Sequence, residues 1–216
     1  LQFAFCFGVA LGISVVLTPL IGRGARAFGM VALPRQDRWH RQTTPLLGGV
    51  AIYVSSTIAI LLVAHHDARL IALEVGGTLL FATGLLDDFR HLRPHTKLIA
   101  QILAACVLVV GGVQIETPWV ATTAVAIPLT ILWVVGITNA FNLLDNMDGL
   151  SAGTAVIAAA FLFAFSVSVG NIGIAVLCLA LAGGALGFLF FNFNPARIFM
   201  GDSGSMYLGF MLSGIT

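Results

Sequence analysis

Apolar residues run in blocks long enough to cross a bilayer, and polar residues gather between the blocks. Seven such blocks, at 1–21, 46–64, 69–86, 98–114, 119–141, 151–169 and 172–191, are followed by the start of an eighth from 206. In hydrocarbon every backbone N–H and C=O must be bonded within its own segment, so continuous apolar runs mark helices. A helix rises ~1.5 Å per residue, and ~20 residues cover the ~30 Å hydrocarbon layer. The pattern predicts an all-α, polytopic integral membrane helical bundle with seven spans and the start of an eighth. No internal repeat, low-complexity tract or linker divides it, so 1–216 reads as a single membrane-embedded domain. The run opening at Leu1 is too long and too lightly charged for a signal peptide. The closing run, Met206 to Thr216, has only 11 residues, so the sequence is expected to be cut short there and at its amino end.

Composition sharpens this reading. The chain is 59% hydrophobic and 9% charged, against roughly 25% charged in soluble domains, which excludes a water-soluble globule. The net charge of +1 carries no nucleic-acid signature, and no such partner is expected. Cys6, Cys106 and Cys178 lie far apart in apolar runs, a spacing that supports neither a disulfide framework nor a zinc site. Gly8-x-x-x-Gly12 and Gly183-x-x-x-Gly187 are candidates for close helix contact.

Charge placement gives the orientation. Arg23, Arg26, Arg35, Arg38 and Arg41 follow the first span, Arg90, Arg93 and Lys97 the third, and Arg197 the seventh. Counting spans puts these loops, and the loop after the fifth, on one side. Of the ten basic residues only Arg69 falls opposite, so the basic side is predicted to be cytoplasmic. Asp87, Asp88, Asp145, Asp148 and Asp202 arrive on that same side. Glu74 is the one acid predicted inside a span.

Three motifs carry the candidate chemistry. Asp87 and Asp88 in GLLDDF oppose the dipole at the end of a span and repel one another unless a cation is near. In NAFNLLDNMDG, Asn139, Asn142, Asp145 and Asp148 recur every three positions. Each step drifts about −60° around a helix, so the first three share one sector. Amide and carboxylate oxygens of this kind suit Mg²⁺. The third motif, FNFNPARIFMGDSGS, combines Asn192, Phe199 and Asp202 with two glycines that permit close backbone approach. Its Ser203-Gly204-Ser205 is expected to direct helix-terminal amides at an anion. Gathered on one face, these groups can hold a divalent cation and a phosphate-rich substrate, the marks of a membrane enzyme. A transporter would place its ionisable site nearer mid-membrane. The CDP-alcohol phosphotransferase pattern needs an Arg that is missing after Asp148-Gly149.

GLLDDFRHLRPHTKL, NAFNLLDNMDGL, FNFNPARIFMGDSGS and DRWHRQTTPLLGG at 37–49, taken together, resemble the polyprenyl-phosphate N-acetylhexosamine-1-phosphate transferases. The wording is closer to the branch using UDP-N-acetylglucosamine than to the phospho-MurNAc-pentapeptide transferases of peptidoglycan synthesis, which are the alternative. The resemblance implies transfer of a sugar 1-phosphate from a UDP-sugar to undecaprenyl phosphate with release of UMP. This is the first membrane step of cell-envelope polysaccharide synthesis, at the cytoplasmic face of a bacterial inner membrane. It also implies Mg²⁺, with Mn²⁺ as a substitute, and a homodimer. Asp202 and Asn142 are then expected as metal ligands, and Asp87 and Asp88 as the acidic pair near the lipid phosphate, with Asp145 among the catalytic carboxylates. Lys97 is expected on the pyrophosphate, Asp148 and Asn192 near the uracil, Phe199 stacked on that base, and Asn139 among the substrate-binding residues. Family members continue into a cytoplasmic loop with a histidine-rich motif that contacts the sugar nucleotide, and the 216 residues do not include it.

Overall fold

A computed structural model describes residues 1–32, 43–63, 67–115 and 122–216. Eight helices follow in chain order among them: α1 (Gln2–Ala27), α2 (Gly48–Val63), α3 (Ala68–Arg90), α4 (Pro94–Val110), α5 (Thr123–Leu144), α6 (Leu150–Ser168), α7 (Ile172–Asn192) and α8 (Gly201–Ile215). A two-residue antiparallel pair, β1 (Val31–Ala32) with β2 (Thr44–Pro45), lies between α1 and α2. Arg35, Arg38 and Arg41, and the part of the 37–49 motif up to residue 42, lie outside the described residues.

Local chemistry sets the ends. The Asp67 side chain accepts from Leu70 N–H (2.8 Å) and starts α3, and Asn171 does the same for α7 through Ile174 N–H (3.2 Å), each satisfying a donor with no partner inside its helix. Pro94 opens α4, where its missing N–H costs nothing. For this reason α4 begins four residues before the apolar run at 98. α3 and α5 also run on past the expected limits at 86 and 141, to Arg90 and Leu144. Asp87 and Asp88 therefore sit in the last turn of α3 rather than after it.

α1, α3, α5, α6 and α7 are long and apolar enough to cross a membrane. α2 and α4, of 16 and 17 residues, are shorter apolar helices. Of the seven spans expected, five have full membrane-crossing length among the described residues, and the other two correspond to the shorter α2 and α4. The block at 46–64 loses its start because Leu47 turns the chain with φ +74°. The block at 98–114 loses its end because the helix stops before Gly111 and Gly112.

α7 packs on α1, α6 and α2, and α8 packs on α3, α5 and α2. α8 is buried from Ser203 to Ser213 and forms the axis of its half of the bundle. Gly183 and Gly187 stand at the α1–α7 contact, where an added Cβ would come within 2.7 Å of the Phe7 carbonyl oxygen and of the Ser14 Cβ. Ser14 Oγ donates across the same contact to Gly184 O (2.7 Å). Gly8 and Gly12 differ: nothing lies within 4 Å of a Cβ there, so this GxxxG pair makes no helix contact within the described residues. Glu74 lies partly buried in α3.

The carboxyl ends of α3, α5 and α7 meet the amino ends of α2, α4, α6 and α8 on one face. Direct bonds tie them together: Gly48 N–H to Phe199 O (2.9 Å), Gly49 N–H to Met200 O (2.8 Å), and Gly149 N–H to Asn192 Oδ1 (3.0 Å).

Candidate active site

The site grows from the end of α3. The Asp87 carboxylate accepts from Leu92 N–H with Oδ1, and its Oδ2 lies 3.2 Å from Lys97 Nζ in the first turn of α4. Lys97 also reaches Asp202 Oδ2 at 2.6 Å, so one ammonium joins carboxylates from α3 and α8. The Lys97, Asp87 and Asp202 side chains are 24%, 14% and 25% exposed, which leaves the group open to a ligand from the bundle face. Asp88 turns the other way. It accepts from Asp202 N–H (2.8 Å) and Ser203 N–H (3.2 Å) at the amino end of α8. The anion expected at those amides is thus the protein's own carboxylate.

α5 adds the next members. Asn142 donates to Ser205 Oγ (3.1 Å) and hydrogen-bonds the Asp202 carboxylate. Asp145, just past the helix end, accepts from the Gly201 backbone. Desolvation, followed by the nearby charges of Asp202 and Asp88, raises its carboxyl well above the usual range. Carboxylates from α3, α8 and the end of α5 therefore share one electrostatic neighbourhood, with Lys97 as the cation between two of them.

A second cluster borders the first. Asp148 Oδ2 accepts from Ala196 N–H (3.0 Å) and Asn194 Nδ2 (3.2 Å). Asn192 is buried; its Oδ1 accepts from Gly149 and its Nδ2 donates to Ile198 O (3.0 Å). Phe199 is held by its backbone, donating to Pro45 O (2.9 Å) and accepting from Gly48. Asp148, Asn192 and Phe199 are thereby fixed to the loop that leads into Asp202.

Nine of the ten predicted residues fall in these two adjoining clusters. Asn139 does not. It pairs with Gln101 of α4 (2.8 and 3.4 Å) and bonds Val135 O, facing α4 while Asn142 faces α8. Neither Asn194 nor Gly84 stands out in the sequence, and Ser205, expected to contribute a helix-terminal amide, contributes its hydroxyl. A Cβ at Gly84 would come within 2.4 Å of the Asp202 carbonyl oxygen, so α3 and α8 touch there backbone to backbone. The seven-residue spacing from Gly77 to Gly84, two turns along one face, was the available signal.

Among the described residues, no three His, Cys, Asp or Glu side chains form a metal-binding group. Mg²⁺ does not demand one: it commonly takes one or two carboxylates and completes its shell with water and substrate phosphate. Asp202 beside Asn142 supplies hard oxygens of that kind, and the fit is to a shared protein–substrate site.

The family model for glycosyl transferase family 4 matches residues 70–216, from α3 through α8. The chain belongs to that family. It is 35% identical over 99% of its length to a probable undecaprenyl-phosphate N-acetylglucosaminyl 1-phosphate transferase of Bacillus subtilis (strain 168), covering 62% of that protein. It is 39% identical over 86% of its length to the decaprenyl-phosphate N-acetylglucosaminephosphotransferase of Mycolicibacterium smegmatis, covering 52%. A phospho-N-acetylmuramoyl-pentapeptide-transferase of Bacillus mycoides is 34% identical over 96% of the chain, covering 72% of that relative. The chain thus spans between about half and three-quarters of these relatives. All the residues of both clusters lie in or beyond α3, inside the stretch the family model matches.

Proposed function

We propose that this chain is the membrane core of an enzyme that transfers N-acetylglucosamine 1-phosphate from UDP-N-acetylglucosamine to undecaprenyl phosphate, releasing UMP. The observation that carries the reading is Lys97 joining Asp87 and Asp202, with Asn142 on the same carboxylate. Two carboxylates around one ammonium leave a net negative charge that a divalent cation would balance, and the metal and Lys97 together would suit two anionic substrates, one of them lipid-borne. The sugar is taken from the names of the Bacillus subtilis and Mycolicibacterium smegmatis relatives, and the cytoplasmic orientation from the one-sided Lys and Arg.

Asp202 and Asn142 would hold Mg²⁺, which supplies charge neutralisation for the pyrophosphate and for departing UMP. Lys97 is poised to bind the pyrophosphate oxygens, exchanging a carboxylate partner for them. An acid of the Asp87–Asp88 pair takes the proton of the lipid phosphate. The freed oxygen then bonds to the β-phosphorus as the bond to UMP breaks, and UMP leaves with the electron pair. Asp148 and Phe199, on the loops that buried Asn192 holds in place, would border the uridine in the neighbouring subsite. A homodimer, as the family resemblance implies, belongs to the same reading and is tested by the mass of the detergent-solubilised protein.

The test is thin-layer analysis of radiolabelled lipid products from purified protein, undecaprenyl phosphate, Mg²⁺ and a panel of UDP-sugars. A labelled lipid pyrophosphate from UDP-N-acetylglucosamine, with UMP as co-product, is expected. Product from UDP-MurNAc-pentapeptide alone would favour the reading drawn from the Bacillus mycoides relative. Absence of any lipid product would refute the transferase assignment.

A further inference from the structure

Asp87 and Asp88 are adjacent in sequence but occupied in different ways. Asp87 shares an ammonium with Asp202 at the open edge of the site. Both Asp88 oxygens are engaged by backbone: Oδ1 takes Asp202 N–H at 2.8 Å and Oδ2 takes Ser203 N–H at 3.2 Å. Those amides are among the first four of α8, which have no acceptor inside their own helix. The residue before the helix, Met200, offers no capping side chain. Asp88 therefore supplies from α3 the cap that α8 lacks, and its charge lies at the favourable end of the helix dipole.

The backbone around it is shaped for that contact. Gly201 takes φ +78°, and a Cβ there would lie 2.7 and 2.8 Å from the two Asp88 oxygens. Resting on the transferase reading, we propose that Asp88 is a positioning residue that locks the first turn of α8, holding Asp202 against Lys97 and Asn142. The role follows from geometry. Each Asp88 oxygen accepts one of the two amides that set the direction of the first turn, and the neighbouring carboxylate is carried on that turn.

Two readouts test it on the purified full chain: amide hydrogen exchange at residues 202 and 203, and turnover of UDP-N-acetylglucosamine with undecaprenyl phosphate across pH. Asn offers one acceptor oxygen where the carboxylate offers two, so Asp88→Asn keeps one of the two cap bonds and Asp88→Ala keeps neither. D88N is expected to fall between wild type and D88A in both exchange protection and kcat, the graded rescue that a positioning role gives. The pH profile of D88N should match the wild type in shape. D88A should lose protection about tenfold or more, and G201A should do the same through the displaced carboxylate. D87N should keep protection and lose kcat by ~10²-fold or more. D88N as inactive as D88A with its amides still protected would overturn the inference, as would unchanged protection in D88A. If D88A fails to fold, D88N and G201A carry the comparison. Wild-type protein inactive on every sugar would sink the transferase reading only, and the exchange data alone would then decide whether Asp88 is the cap.

Discussion

Gly84→Ala is the most direct probe of how the site is held. An added methyl would stand 2.4 Å from the Asp202 carbonyl oxygen, 2.5 Å from its carbon and 2.6 Å from Ser203 Cα. These are backbone atoms of α8, so no side-chain rotation relieves the clash. Restoring an ordinary carbon contact requires α3 and α8 to part by about 1 Å. Overpacking of this kind costs ~1–3 kcal/mol, while Ala gains ~1 kcal/mol over Gly in a helix interior, leaving a net loss of up to ~2 kcal/mol. The larger effect falls on chemistry. The displaced atoms belong to Asp202 itself, and a 1 Å misplacement of a reacting group costs on the order of 10²-fold in rate. Gly153→Ala in α6 is the control, since nothing lies within 4 Å of its Cβ. The assays are thermal unfolding of the detergent-solubilised protein and kcat/KM for lipid-linked product. G84A should melt lower and turn over ~10²-fold slower, with G153A at wild-type turnover. A G84A protein matching wild type in both measurements would refute the α3–α8 contact as the frame of the site.

Other variants probe the side chains. Lys97→Ala removes the cation between Asp87 and Asp202 and should lower kcat by ~10²–10³-fold, as loss of a transition-state donor does, with the fold checked by circular dichroism. Asp202→Ala should abolish turnover in a folded protein, and EDTA should silence the wild type until Mg²⁺ is restored; near-normal D202A activity would contradict the metal assignment. Asp148→Ala frees Asn194 and the Ala196 amide and should raise KM for the UDP-sugar by about tenfold, more than it lowers kcat, in initial-rate measurements.

Most of the bundle was legible because hydropathy reports which segments avoid water, and in lipid a continuous apolar run of that length satisfies its backbone as a helix. The misjudged limits were polar ends. Asp87, Asp88 and Asn142 continue helices that apolarity alone would stop, and Pro94 opens α4 inside a polar turn. Asn139 shows the limit of periodicity. Its spacing to Asn142 matched the pattern, yet a 60° offset on α5 turns one toward α4 and the other toward α8.

By itself the chain determined its helices, their alternating direction and therefore the face on which its carboxylates collect, since each of these depends on local composition and on counting crossings. Only the tertiary structure decided what each carboxylate does there. Asp87 and Asp88 are chemically identical neighbours, and their different partners follow from where Lys97 and the amino end of α8 come to rest. That placement depends on glycine-lined contacts between helices more than a hundred residues apart, a distance over which no local pattern carries information.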